Sequence, residues 1–262
     1  MNWNAHFAER TRQMKRTAVR EILKVTARPD IISFAGGLPA AELFPVKRVQ
    51  QALTAVLERV GPQSLQYAET EGVAGLRDWI ARRFSRDGFE VRRENVLITS
   101  GGQQALDLTG RVLLNPGDQV VVENPTYLAL LSAWRPLGVQ FLPVPSDQHG
   151  LQTAALEQLL ARAHPKLIYL VPNFQNPQGT TLSLERREHL VSLLRRHEVG
   201  LVEDNPYGEL RYSGKSLPHL LDLDAALPAT GAAGGHVIHV GSFSKILMPG
   251  LRVGCIRVGN PV

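Results

Sequence analysis

From Val96 onward the chain alternates short apolar runs with amphipathic helical patterns, and no other feature limits its fold so sharply. Apolar runs at Val96–Ile98, Val120–Val122, Val139–Val144, Leu167–Val171 and Gly200–Val202 are separated by helical patterns such as 102–114, 153–163 and 183–197. Strands that alternate with helices build βαβ units around a mostly parallel sheet. Two further runs, Val237–Val240 and Val253–Val258, bring the expected sheet to about seven strands. The last run follows Lys245 after only a short loop, too little chain for a parallel crossover, so it is expected to run antiparallel. The expected class is α/β, a mostly parallel sheet between two helical layers.

Ahead of this block the texture is different. Residues 5–27 read as one amphipathic helix, stopped near Arg28-Pro29-Asp30, followed by a stretch dense in turn formers, Phe34–Pro39. Helical patterns over 46–59 and 73–86 flank a polar loop that carries Tyr67. This divides the chain into an N-terminal helix and substrate-side segment, 1–45, and a large domain, 46–262. The weakest pattern lies at 213–236, with Gly231-Ala-Ala-Gly-Gly235, and this segment reads as a flexible surface loop.

Composition removes whole classes of function. With 44% apolar and 20% charged residues, the chain is a globular protein rather than a disordered one. The net charge of +5 comes largely from arginines scattered along helices, which does not identify a nucleic-acid binder. A single cysteine, Cys255, rules out a disulfide framework and a cysteine-based zinc site, and no metal is expected. No apolar run is long enough for a membrane span, and the start lacks the apolar core of a signal peptide. Glu9 and Glu21 argue against a transit peptide. A cytoplasmic protein is expected.

In an open α/β sheet, ligands bind beyond the carboxyl ends of the strands, so the polar residues there carry the chemistry. Thr99-Ser-Gly-Gly-Gln-Gln104 follows the first strand; paired glycines at a helix start leave N–H groups free for a phosphate, and they equally make an ordinary strand-to-helix turn. Tyr127 follows the second strand, either as a face on which a planar ligand stacks or as a half-buried aromatic at a helix start. Asn176, in Pro172-Asn-Phe-Gln-Asn-Pro-Gln-Gly179, sits in an Asn-Pro turn that can also aim its amide at a ligand oxygen. Asp204, in Glu203-Asp-Asn-Pro-Tyr207, ends a buried strand and needs a strong partner, a neighbouring arginine or a protonated ring nitrogen. Lys245, in Gly241-Ser-Phe-Ser-Lys245, is either a solvent-facing loop lysine or a pocket amine able to attack a carbonyl; Arg252 lies seven residues on.

Taken together, these residues place a phosphate seat, a stacking aromatic, a ring-oxygen donor, a carboxylate and a nucleophilic amine along one sheet edge. Pyridoxal 5′-phosphate calls for all five. From about residue 15 onward the chain resembles the fold-type I pyridoxal-phosphate aminotransferases, class I/II. The likeness rests on Asn176-Pro-Gln-Gly179, Asp204-Asn-Pro-Tyr207 and Ser242-Phe-Ser-Lys245 with Arg252. Ser33-Phe-Ala-Gly-Gly-Leu-Pro39, Leu43-Phe-Pro45 and Gln66-Tyr-Ala with Gly72 resemble the 2-aminoadipate and kynurenine aminotransferase group.

The resemblance implies roles residue by residue. Lys245 would bond to the cofactor aldehyde and later move the substrate Cα proton. Asp204 would keep the pyridine nitrogen protonated, Asn176 and Tyr207 would bond the ring oxygen, and Tyr127 would stack on the ring. Gly102, Gln103, Ser242, Ser244 and Arg252 would cradle the phosphate. Tyr67 would reach the phosphate of a neighbouring subunit, implying a homodimer with shared sites. Gly37 and Asn176 would line the substrate space, and Arg20 would meet a distal substrate carboxylate, although Arg20 also reads as a solvated arginine on a basic helix face. The implied reaction moves an amino group between an L-amino acid (2-aminoadipate, glutamate, aromatic or branched-chain) and a 2-oxo acid.

Two departures matter. Gln178 stands where threonine is usual, and no residue matches the arginine that the family's C-terminal small domain offers to the substrate α-carboxylate. The expected chain is thus the large domain with the N-terminal part of a small domain. This leaves two other readings in view. One is a catalytically incomplete cofactor-binding fragment; the other is the aminotransferase-like domain of a transcriptional regulator, which the single helix before residue 30 does not favour.

Overall fold

The computed structural model describes residues 1–14, 30–32, 37–85, 90–227 and 235–259. Among them one mixed sheet is built from β1 (Val96–Thr99), β2 (Gln119–Asn124), β3 (Gln140–Asp147), β4 (Gly150–Leu151), β5 (Leu167–Leu170), β6 (Gly200–Asp204), β7 (Val237–Ser242) and β8 (Gly254–Val258). The order across the sheet is β1-β8-β7-β6-β5-β2-β3-β4. Neighbours from β3 through β2, β5 and β6 to β7 pair in parallel. As expected, β8 runs antiparallel, to β7 on one side and β1 on the other.

The strand count is eight rather than seven, because β4 pairs with the end of β3 over only two residues. Two residues are too short for an alternation pattern to register in the sequence.

Strand side chains alternate between faces, and each face has its own core. Val121, Ile168, Leu170, Leu201 and Val237 pack against Leu156 and Leu160 of α5 (Thr153–Leu160), Leu190 and Leu194 of α6 (Leu184–His197), and Leu220 and Leu221 of α7 (Leu220–Ala225). The other face buries Val120, Val122, Tyr169, Val202 and Val240 against Ala105 and Leu106 of α3 (Gly102–Leu113) and Leu130 and Trp134 of α4 (Leu128–Trp134). These are the two helical layers the strand–helix alternation predicts. Two earlier helices match their expected places: α1 (Val46–Val60) and α2 (Ala74–Phe84). α2 buries Ile80 and Ala81 against Val91, Val96 and Cys255, whereas α1 buries no residue and leaves Val46, Leu53 and Leu57 exposed.

Two expectations about the chain need correction. Residues 213–236 are not simply a surface loop, because α7 lies within them with Leu220 and Leu221 buried. The Gly231–Gly234 part of that segment lies outside the described residues. The helix expected over 5–27 is represented by short 3-10 turns at Trp3–Ala5 and Glu9–Gln13. The remainder of that helix, with Arg20, lies outside the described residues. Among the described residues no helix is long and apolar enough to cross a membrane.

Candidate active site

Polar side chains gather where the carboxyl ends of β1, β2, β5, β6 and β7 meet the start of β8. At one end of this edge is an anion cradle. After β1 the chain turns through Gly101, with φ +92°, into α3. A Cβ on Gly101 would lie 2.6 Å from Nη2 of Arg252, and one on Gly254 would lie 2.6 Å from the carbonyl carbon of Gly101. Glycine at both positions therefore lets the turn, the start of β8 and the arginine close on one another. Gly102 packs beside Ser242 at the end of β7, since a Cβ on it would sit 3.7 Å from that of Ser242. Arg252 holds a left-handed backbone, φ 53°, and its Nη2 donates to the Ser100 carbonyl at 3.4 Å. Ser242 Oγ accepts from the backbone N–H of Ser244 at 3.2 Å. The Arg252 guanidinium, Ser242 and the first N–H groups of α3 thus come together, a donor set suited to a phosphate, with Ser244 joined to Ser242 through its backbone N–H. Gln103 departs from expectation in its side chain, which donates to the carbonyl of Ala129 at 3.3 Å and so belongs to the α3–α4 contact. Its backbone N–H alone remains with the cradle.

Two adjacent acids end β6, and alternation sends them to opposite faces. Both oxygens of Glu203 accept backbone N–H groups, from Leu220 and Leu221, each at 3.1 Å. Burial alone would raise its pKa, but the hydrogen bond with His219 and the positive field of Arg187 hold it below the usual carboxylate range. His239 completes that cluster, its Nδ1 3.4 Å from Nε of the buried Arg257. Asp204 faces the other way, 6% exposed. Burial raises its pKa to about 6, and a hydrogen bond from Tyr169 partly offsets the rise. That bond, from the Tyr169 hydroxyl to Oδ2 at 2.7 Å, is the only one to its carboxyl among the described residues. The arginine that sequence alone left open as a partner is therefore not what Asp204 meets there. Its carboxyl is arranged to receive a cation.

Around Asp204 stand Tyr127, Tyr207 and Asn176. Tyr127 is half-buried at the start of α4; burial, with the charge of Asp204, pushes its pKa up to about 12. It is both the helix-start aromatic and a ring facing Asp204, Tyr207 and Arg252. Asn176 Nδ2 donates to the hydroxyl of Tyr207 at 3.4 Å. Burial raises the pKa of Tyr207, which therefore stays a neutral phenol able to donate. The loop that carries Asn176 is pinned from within: Gln178 N–H donates to Gln175 Oε1 at 2.9 Å, so Gln178 serves the turn.

Lys245 is half-buried, and burial lowers the pKa of its amine. Its Nζ donates to the carbonyl of Gly37 at 3.2 Å, which ties the N-terminal segment to the reactive loop. Tyr67 is 99% exposed and touches none of these groups. Arg20 lies outside the described residues. Sequence reasoning overlooked Tyr169; the signal available was a hydroxyl inside an otherwise apolar buried strand, which needs an acceptor somewhere.

A glycine turn closed on Arg252, a buried carboxyl bonded by one phenol, the Asn176–Tyr207 pair and an amine with lowered pKa thus lie along one edge of the sheet. Residues 29–262 match the family model "Aminotransferase class I and II", and the chain belongs to that family. It is 41% identical over 265 residues to aromatic-amino-acid aminotransferase 1 of Thermococcus litoralis, covering 98% of this chain and 61% of that protein. It is 42% identical over 263 residues to the 2-aminoadipate transaminase of Thermus thermophilus, covering 100% of this chain and 63% of that one. The crystal structure of LysN, the α-aminoadipate aminotransferase of Thermus thermophilus, complexed with N-(5′-phosphopyridoxyl)-L-leucine, superposes with a TM-score of 0.88. That alignment has 40% identity and covers all of this chain and 63% of LysN. The chain thus spans about three fifths of the length of these relatives.

Proposed function

We propose that the chain is the cofactor-binding part of a pyridoxal 5′-phosphate-dependent aminotransferase, which moves an amino group between an L-amino acid and a 2-oxo acid. The observation that carries this reading is Asp204, a buried carboxyl whose only hydrogen bond among the described residues comes from a phenol, and whose charge is felt by Tyr127 and Tyr207. A protonated pyridine nitrogen is a cation that fits there. When bound, the cofactor supplies an aldehyde for the amine and a ring that accepts the electrons left on the substrate carbon.

The remaining work falls to the protein. Arg252, Ser242, Ser244 and the first N–H groups of α3, at Gly102 and Gln103, hold the phosphate. Tyr127 packs on the ring, while Asn176 and Tyr207 hold its oxygen. Asp204 keeps a proton on the ring nitrogen. Lys245, whose pKa burial lowers, is neutral for a larger share of the time and so can attack a carbonyl and then take and return a proton. Residues 1–45 are a substrate-side segment in this reading, supported by the reach of Lys245 to Gly37; Gly37 and Asn176 line the substrate space, and Arg20, outside the described residues, is the proposed partner of a distal substrate carboxylate. The acidic, aromatic and branched-chain amino acids are the proposed donors, the first two in line with the names of the two relatives. A homodimer with shared sites accounts for the exposed Tyr67 and for the uncovered apolar residues of α1. A cytoplasmic setting suits a lone, buried, unpaired cysteine.

The test is direct. Titrating the purified chain with pyridoxal 5′-phosphate should develop an absorbance band near the visible edge, and Lys245→Ala should abolish it. A band that survives the substitution would remove Lys245 from its role. For the whole protein, formation of the 2-oxo acid from 2-aminoadipate, glutamate, aromatic and branched-chain donors in turn identifies the substrate.

A further inference from the structure

We infer that Tyr169 is the positioning residue of Asp204: its phenol occupies one carboxylate oxygen so that the other is presented, in a fixed direction, to the cofactor ring. The inference rests on the reading of Asp204 given above and goes beyond it to the residue behind the carboxylate.

The geometry begins with strand register. β5 and β6 are parallel neighbours with Tyr169 opposite Val202, so Asp204 lies two residues further along on the same sheet face. Such diagonal neighbours are within reach of an aromatic side chain, and the phenol spans the gap to Oδ2 at 2.7 Å. Oδ1 receives no hydrogen bond from the described residues, which leaves it as the oxygen turned to a ligand. Tyr169 itself cannot swing away. It is fully buried, and the Trp134 ring meets it edge-on, 6.0 Å between centroids at 74°. The indole is anchored in turn by its Nε1–H on the Leu106 carbonyl at 2.8 Å. A chain of contacts thus runs from α3 through α4 and β5 to the carboxylate.

Burial raises the pKa of this carboxyl and the Tyr169 hydrogen bond lowers it. Among the charged and titratable groups nearby, its charge is felt by Tyr127 at the start of α4 and Tyr207 in the segment after β6, the charge of Glu123 at the end of β2 by Tyr169, and that of Arg252 by Tyr127. Burial keeps the Tyr169 phenol protonated, so it remains a donor. Because the phenol bond favours the ionised carboxyl, its removal leaves burial acting alone and drives Asp204 toward the neutral acid.

Tyr169→Phe tests this, since the phenyl ring keeps the packing on Trp134. In the cofactor-free chain, the Asp204 titration midpoint, read from isotope-labelled carboxyl resonances, should rise from about 6 to beyond about 7. Affinity for pyridoxal 5′-phosphate at pH 7, read by absorbance titration, should fall about ten-fold or more, and should depend more steeply on pH than in the parent chain. Should Tyr169→Phe fail to fold, 3,5-difluorotyrosine at position 169, a stronger donor of the same shape, should move the midpoint down instead. An unmoved midpoint in the variant that folds overturns the inference, because a merely structural tyrosine would change stability and leave that titration alone. Asp204→Asn separates the two claims. If it leaves cofactor affinity unchanged, the reading of Asp204 fails, whatever Tyr169 does.

Discussion

Glu203 and Asp204 share a peptide bond and very different surroundings. One residue's step along β6 turns the first toward backbone donors and a histidine cluster, and the second toward a phenol and the ligand side of the sheet. A third acid, Glu123, resembles Asp204 in being raised by burial, to about 7, although Val171 N–H and Gln175 stabilise its charge. In an unfolded chain both would titrate near the ordinary carboxylate value, well below these folded values. The stability that goes with their protonated forms is therefore present at acid pH and lost as pH rises through about 6 and 7. Glu123→Gln should flatten the dependence of unfolding free energy on pH between about 4 and 7, by on the order of 3 kcal/mol, measured in urea. At Gly101 the prediction concerns binding. Alanine there meets φ +92° and the Arg252 guanidinium, so on the reading of Arg252 as a phosphate ligand, Gly101→Ala should weaken pyridoxal 5′-phosphate binding about ten-fold by calorimetry, through displacement of that guanidinium. Much of the site is legible residue by residue, because Asp204, Lys245 and Asn176 each follow a strand and each has a chemical need the sequence exposes. Tyr169 is not legible, since which acceptor its hydroxyl meets depends on the register of two strands that no local pattern reveals.

At the scale of elements, the buried Arg187 on α6 holds the Asn176 turn to its support. Its Nε donates to Leu182 at 2.9 Å, Nη1 to Pro218 at 2.8 Å, and Nη2 to Pro172 and Asn173 at 3.0 and 2.9 Å. Three of these acceptors flank the Asn176 turn and the fourth precedes α7. Arg187→Met would strip three of the four of their donor, the Pro172 carbonyl keeping the Leu182 N–H at 2.8 Å, and should cost about 3–5 kcal/mol in urea unfolding, with cofactor affinity falling as the turn loosens. The long elements are readable from periodicity, and so is the antiparallel course of β8, from the shortness of its loop. The helices α4 and α7 are not, because seven and six residues hold too few turns for a 3.6-residue repeat to stand out. α7 exists through its setting: Leu220 and Leu221 fill the core and their N–H groups answer Glu203.

Over the whole molecule, α1 differs from the other long helices among the described residues in burying nothing. Leu53 and Leu57 lie a turn apart with 61% and 47% of their surface open to water. On the reading of a shared-site dimer, Leu53→Asp should shift the sedimentation coefficient toward the monomer and leave the far-ultraviolet circular dichroism unchanged. Retention of the same assembly by the variant would place the interface elsewhere.

The position of β8 between β1 and β7 also orders events in time. Val96 leaves the ribosome early, yet its partner in the sheet is Arg257, made long after it. The parallel block β2-β5-β6-β7 can close while synthesis continues, but β1 must wait as a lone edge until β8 slides in beside it. Closing so long a loop is slow. If Arg252 and the turn after β1 bind the phosphate as proposed, that part of the pocket depends on the late pairing of β8, whereas Asp204 sits in the parallel block.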